Sequence, residues 1–183
     1  MDRSAIADVG QLEERLARPN ASDVECLRRL DGDIAVLGAG GKMGPSLVRR
    51  IKRASDQADL AGRDDRAGRD DRADVAGRAG RARRILAVSV AWESGVRESL
   101  MDAGIETLTC DFLDRQALDA VPSCPNLLYL VGRKFGTSGR GDLTWAINTL
   151  APARVLERFT ESRLVVFSSG NIYGLVPVRS GGS

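Results

Sequence analysis

The stretch Asp33-Ile-Ala-Val-Leu-Gly-Ala-Gly-Gly-Lys-Met-Gly-Pro-Ser-Leu-Val48 decides how this chain is read. An apolar run, Ile34 to Leu37, enters Gly38, Gly41 and Gly44, with Gly40 as an extra glycine, and a helical stretch from Pro45 to Ala54 follows at once. Strand, glycine turn and helix in that order present free backbone N–H groups and a positive helix end to a pyrophosphate. Each glycine has its own expected task. Gly38 lets the chain turn sharply off the strand, Gly41 leaves room for phosphates to approach the backbone, and Gly44 lets the helix pack closely on the sheet. The spacing is G-x-x-G-x-x-G. The competing reading is a tight strand-to-helix turn with no ligand, and the frame of a buried strand and a helix weighs against it.

Working outward, 183 residues suit one domain, and 43% apolar content is ordinary for a globular core. A net charge of +2 gives no argument for nucleic acid or an acidic surface as partner. No apolar run approaches the roughly 20 residues that span a bilayer, and the N-terminus has no apolar signal region. Cys26, Cys110 and Cys124 are odd in number and lack metal-ligand spacing, so they read as reduced thiols of a cytoplasmic protein. The chain contains no histidine, which excludes His-based triads and His metal sites within it. The partner expected is a small-molecule substrate, with no nucleic acid, no membrane and no metal; a homodimer is the other association considered.

Residues 1–31 read as a helical extension ahead of a nucleotide-binding unit at 32–183. Val9, Leu12 and Leu16 share one helical face, Pro19-Asn20 breaks the run, and Ser22 or Asp23 is expected to cap a second helix ending near Leu30. The pair reads as an adapter packed on the main unit, with a partner-binding helix as the alternative. Residues 56–84 differ sharply. Ala61-Gly-Arg-Asp-Asp-Arg66 repeats as Ala67-Gly-Arg-Asp-Asp-Arg72, and Asp and Arg nearly balance. With few sizeable apolar residues, this segment is expected to be a solvated, mostly disordered insertion.

After it the alternation resumes. Strands are expected at 84–90, 105–110, 126–131 and 163–167. Helices are expected at 94–103, 114–120, with Asp114 as N-cap, and 142–160. Apolar strands alternating with helices imply an α/β fold, a doubly wound parallel sheet of the Rossmann type with order 3-2-1-4-5. Ligands in such sheets sit at the carboxyl ends of the strands.

Those ends carry further candidates. Asp111, just past strand 3, either accepts from an adenine amino group or caps the next turn. Gly132-Arg-Lys134 ends strand 4, where a small residue lets the chain pass close to a ribose or nicotinamide. Arg133 and Lys134 are candidates for phosphate or an anionic substrate. Ser168 and Ser169 end strand 5; such hydroxyls either polarise a substrate oxygen or satisfy turn backbone.

The glycine turn, Asp111, Trp145-Ala-Ile-Asn-Thr-Leu-Ala-Pro-Ala-Arg-Val-Leu156 and Phe167-Ser-Ser-Gly-Asn-Ile-Tyr-Gly174 together resemble the NAD-dependent epimerase/dehydratase family, the extended short-chain dehydrogenase/reductases. The resemblance spans roughly residues 32–177 without the insertion. It implies an NAD or NADP cofactor and hydride transfer to or from a nucleotide sugar or similar hydroxyl-bearing metabolite. It implies that Ser169 assists catalysis, that Asn148 supports the active-site region and that Asp111 meets the adenine. The cofactor contacts so expected are Gly38, Gly40, Gly41, Lys42, Met43, Gly44, Asp111, Gly132, Arg133, Lys134, Asn148 and Ser168.

The departures count as well. Family enzymes use a Tyr-x-x-x-Lys pair about twenty-five residues beyond the signature Ser, with the Tyr as acid/base. No such pair occurs before Ser183, and Tyr173 is followed four residues later by Pro177. The expectation is therefore an N-terminal piece of a longer enzyme, inactive alone. The alternative is a non-catalytic dinucleotide-binding sensor or scaffold. A P-loop is excluded, since Lys42 sits inside the glycine turn without a Gly-Lys-Ser/Thr ending.

Overall fold

A computed structural model describes residues 5–67, 82–133 and 138–168. Its five apolar runs form five parallel strands: β1 (Ile34–Leu37), β2 (Ile85–Ser89), β3 (Glu106–Thr109), β4 (Asn126–Tyr129) and β5 (Arg163–Val166). The order is β3-β2-β1-β4-β5, the doubly wound arrangement expected. Ile34 pairs with Ile85 on one side and Asn126 on the other. Successive β1 residues serve opposite faces, as the strand period requires. Ile34 and Val36 pack with Ile85, Val48 and Leu100, while Ala35 and Leu37 pack with Val88, Leu127 and Val155. Burial on both faces is why β1 and β2 read as unbroken apolar runs.

The helices are α1 (Val9–Leu16), α2 (Ala21–Arg29), α3 (Gly44–Ala67), α4 (Val96–Asp102), α5 (Arg115–Asp119), α6 (Gly141–Trp145) and α7 (Ala151–Arg158), with a π-helical turn, Ala146–Leu150, between the last two. Leu27, Val48 and Leu100 bring α2, α3 and α4 onto one face of the sheet; Leu118 and Val155 bring α5 and α7 onto the other. Asp114 caps α5 as expected, accepting from the N–H groups of Gln116 and Ala117. The cap of α2 is Asn20 rather than Ser22 or Asp23. Asn20 Oδ1 accepts from Asp23 N at 2.9 Å and Asp23 Oδ2 accepts from Asn20 N at 2.7 Å, so Asp23 is the reciprocal half of a capping box.

The start of the insertion needs correcting. Helix α3 does not end near Ala54 but continues to Ala67, so residues 56–67 of the expected disordered insertion are helical. Buried Ala58 and the Lys52–Asp56 ion pair at 2.6 Å extend the helix, and no proline interrupts it. Residues 68–81 of the repeat segment lie outside the described residues. Helix α1 meets α3 through its charged side. Glu14 pairs with Arg53 at 2.8 Å and Glu13 with Arg49 at 3.6 Å. The apolar face is left outward, with Val9 70% and Leu16 50% exposed.

Arg83, placed in the insertion by its composition, is instead buried. Its guanidinium donates to the carbonyls of Gly32 and Leu27, each at 2.9 Å, and to that of Leu30. It thereby satisfies carbonyls at the end of α2 and ties that helix to the base of the sheet. Among the described residues no helix is long and apolar enough to cross a membrane.

Candidate functional site

The turn after β1 lies between the exits of β2 and β4 and touches both. Gly38 has φ +90°, and a Cβ there would lie 2.9 Å from Val131 N at the exit of β4. The N–H groups of Gly38 and Ala39 both donate to the Val88 carbonyl, at 2.8 and 3.0 Å. A Cβ at Gly40 would lie 2.3 Å from the Ala91 carbonyl oxygen and 2.4 Å from Ser89 Oγ, at the exit of β2. Gly40, an extra glycine in the sequence pattern, is thus required by the close passage of two loops, a contact no local spacing reveals. A Cβ at Gly44 would lie 2.1 Å from the Ala39 carbonyl oxygen, so α3 starts against the end of β1.

Gly41 is different. Its φ is not positive, and the nearest atom to a Cβ there is the Gly38 carbonyl oxygen at 3.4 Å, an ordinary contact. Three glycines are demanded by the chain's own packing, and this one is not. It is exposed, between Gly40 and Lys42, just before the start of α3. A backbone kept bare toward open space suits an anionic ligand that must reach N–H groups. Lys42 and Met43 are exposed beside it.

At the exit of β4, Gly132 and Arg133 face the helix that follows. Asn148 accepts from Arg133 N with Oδ1 at 2.7 Å and donates from Nδ2 to the Arg133 carbonyl at 2.9 Å. Both amide groups of one side chain clamp both backbone groups of one residue. A Cβ on Gly132 would come 3.8 Å from Asn148 Oδ1. The π-helical turn has a local cause two residues after its end. Pro152 has no N–H to give Asn148, and its ring collides with the carbonyl four residues back, again that of Asn148. The helix widens, and Ala151 N–H donates to the Ala146 carbonyl instead. The proline thereby shapes the turn that carries Asn148.

Asp111 follows β3, and its Oδ1 accepts from Leu113 N at 2.9 Å. One carboxylate oxygen therefore holds the next turn, as the capping alternative has it. Ser168 follows β5 and is exposed. The glycine turn, Asp111, Gly132, Arg133 and Ser168 all stand at the carboxyl edge of the sheet, with Asn148 reaching that edge from the helix. Lys134 and Ser169 lie outside the described residues.

The thiols are not part of this edge's chemistry. Burial pushes the Cys110 thiol up to about 11 and the Tyr129 phenol up to about 12, and Cys124 is raised for the same reason. Among the described residues no cluster of His, Cys, Asp and Glu could hold a metal ion.

The match to known proteins is to the same span. A family model, "NAD dependent epimerase/dehydratase family", matches residues 34–181. The chain belongs to this family. As an NAD-dependent epimerase/dehydratase-type protein it is expected to hold a nicotinamide dinucleotide, and the glycine turn fits one: the bare Gly41 and the start of α3 follow β1 at the switch between β1 and β4. Among solved structures, that of the epimerase Mth375 from the thermophilic, pseudomurein-containing methanogen Methanothermobacter thermautotrophicus is similar at TM-score 0.54 and 18% identity. The similarity covers 85% of this chain and 41% of that one, and it bears on the fold alone. No match was found among curated proteins.

Proposed function

We propose that this chain is the NAD(P)-binding unit of an epimerase, dehydratase or reductase acting on a nucleotide sugar or similar hydroxyl-bearing metabolite. The observation that carries the reading is Gly41, a glycine that its own fold does not require, at the one strand exit where a pyrophosphate would meet backbone N–H groups. The dinucleotide, when bound, supplies hydride acceptance and donation. The chain's own groups do the rest. The turn at Gly40 to Met43 binds phosphate. Asn148 holds the Gly132–Arg133 backbone in one position, which keeps that wall of the nicotinamide half fixed. Ser169, next to the placed Ser168, is the hydroxyl proposed to orient the reacting substrate oxygen, on the strength of the family signature.

A calorimetric titration with NAD(H) and NADP(H) tests the reading. At least one pair binds the wild type, and Gly41→Val abolishes that binding while leaving the fold intact, since the side chain occupies ligand space rather than protein space. Equal affinity in wild type and variant would sink the assignment. Binding without any nicotinamide turnover would favour the sensor or scaffold.

A further inference from the structure

We infer that the adenosine end of this site accepts a 2′-phosphate, so that NADP(H) binds in preference to NAD(H), and that Lys42 is the residue that reads it. The inference rests on the dinucleotide reading above. In sheets of this type the adenosine ribose lies where the glycine turn meets the exit of the neighbouring strand, here β2. A carboxylate there accepts from a free 2′-hydroxyl and repels a phosphate; a cation there does the reverse.

From Ser89 to Trp92 the exit of β2 carries no such carboxylate. Its last residue, Ser89, is 5% exposed, and its hydroxyl already donates to the Ala91 carbonyl at 2.8 Å. Val90, Ala91 and Trp92 follow, and the Trp92 indole N–H donates to Thr109 Oγ1 at 3.2 Å, turned toward β3. The first acid is Glu93, four residues beyond the strand, where its carbonyl accepts from Val96 N at the start of α4.

The glycine turn presses directly on this exit, as the Gly40–Ala91 approach shows. Lys42 stands two residues beyond Gly40, a span of at most about 7 Å of chain, so its side chain is long enough to reach the same place. It is exposed, and among the described residues it makes no hydrogen bond or ion pair. The neighbouring cations are committed elsewhere. Arg49 bonds Ser99 at 2.9 Å and pairs with Glu13, and Arg97 bonds Thr107 at 3.1 Å. An uncommitted ammonium on a turn that abuts an exit with no carboxylate from Ser89 to Trp92 suits a phosphate monoester, a compact dianion that a lysine holds as a point charge.

The test is a fluorescence titration of NADPH and NADH into the wild type, Lys42→Ala and Lys42→Glu, with circular dichroism to show that each is folded. The wild type is expected to bind NADPH at least about tenfold more tightly than NADH. Lys42→Ala should cost NADPH about tenfold and NADH less than about twofold, and Lys42→Glu should reverse the preference. An NADH preference or equal affinity in the wild type overturns the inference and leaves the dinucleotide reading standing. An equal loss for both cofactors in Lys42→Ala would put the lysine on the shared pyrophosphate and overturn its role. Binding of neither cofactor by the wild type overturns both readings.

Discussion

At the exit of β1 the chain is packed against itself, whereas at the exit of β5 it stands open. Gly38, Gly40 and Gly44 sit where any side chain would strike backbone or a buried neighbour, and β1 below them is fully buried. On the other side of β4, Val165, Val166 and Phe167 are 58, 54 and 45% exposed, and Ser168 follows them in the open. Both exits belong to the same edge of the same sheet. The difference teaches that the glycine-turn half is shaped by the chain's contacts with itself. The half that would bear substrate chemistry is defined by which side chains stand there and has little holding it from outside.

The largest effect that would break this contrast lies inside the turn. Gly44→Ala and Gly40→Ala each force a Cβ to within 2.1–2.3 Å of a backbone oxygen. Each should cost about 3 kcal/mol in urea-monitored unfolding, the upper range for overpacking. Gly41→Ala should change stability by less than about 0.5 kcal/mol and act only on dinucleotide affinity. If all three glycines behaved alike, the separation of folding glycines from a binding glycine would be lost.

Next in size is a pair of valines. Val36→Ala, at a wholly buried site in β1, should cost about 2 kcal/mol, while Val165→Ala in β5 should cost under about 0.5 kcal/mol. Comparable losses would mean that β5 is covered in solution, and that the openness of that edge is not a property of the folded chain.

The alkaline limit sharpens the comparison through the core between the two exits. Cys110, Cys124 and Tyr129 all have folded pKa values raised by burial. Above pH 9 the unfolded chain loses protons that the native chain still holds, so stability must fall as pH rises. For Cys110 the fall runs between its ordinary value of 9.0 and about 11. Unfolding midpoints measured from pH 8 to 11 should decline, and Cys110→Ala should flatten the decline. Exposed Cys26 should meanwhile react at once with a thiol reagent, with Cys110 and Cys124 reacting only on unfolding.

The smallest effect belongs to the clamp that joins the two halves. Asn148→Ala removes two exposed hydrogen bonds and should cost about 1 kcal/mol or less. Its signature is local: faster amide exchange at Arg133, with the protection of β1 and β2 unchanged. Unchanged exchange at Arg133 would show that the loop is held by something else.

Several features were readable one residue at a time. The order of strands follows from apolar runs alternating with helices, because two-sided burial leaves no polar positions to interrupt a central strand. Gly38 and Asp114 act as their local patterns say, since a turn off a strand and a helix cap involve only near neighbours in the chain. Others were not readable. The composition of residues 56–67 suggests a solvated coil, yet Ala, Asp and Arg also sustain a helix once α3 has been started by burial of its first turns. The face of α1 chosen for packing was decided by where Arg49 and Arg53 happen to stand on α3.

By itself, then, the amino-acid sequence determined the parallel sheet, its order, and the position of the glycine turn, because strand periodicity, glycine freedom and helix capping are local physics. Tertiary structure alone decided that Gly40 must be bare against Ala91, that Arg83 is buried among carbonyls of α2 and the chain before β1, and that Asn148 clamps Arg133 fifteen residues away. Each of those depends on two distant segments meeting in space, and no spacing along one strand or helix encodes the distance between them.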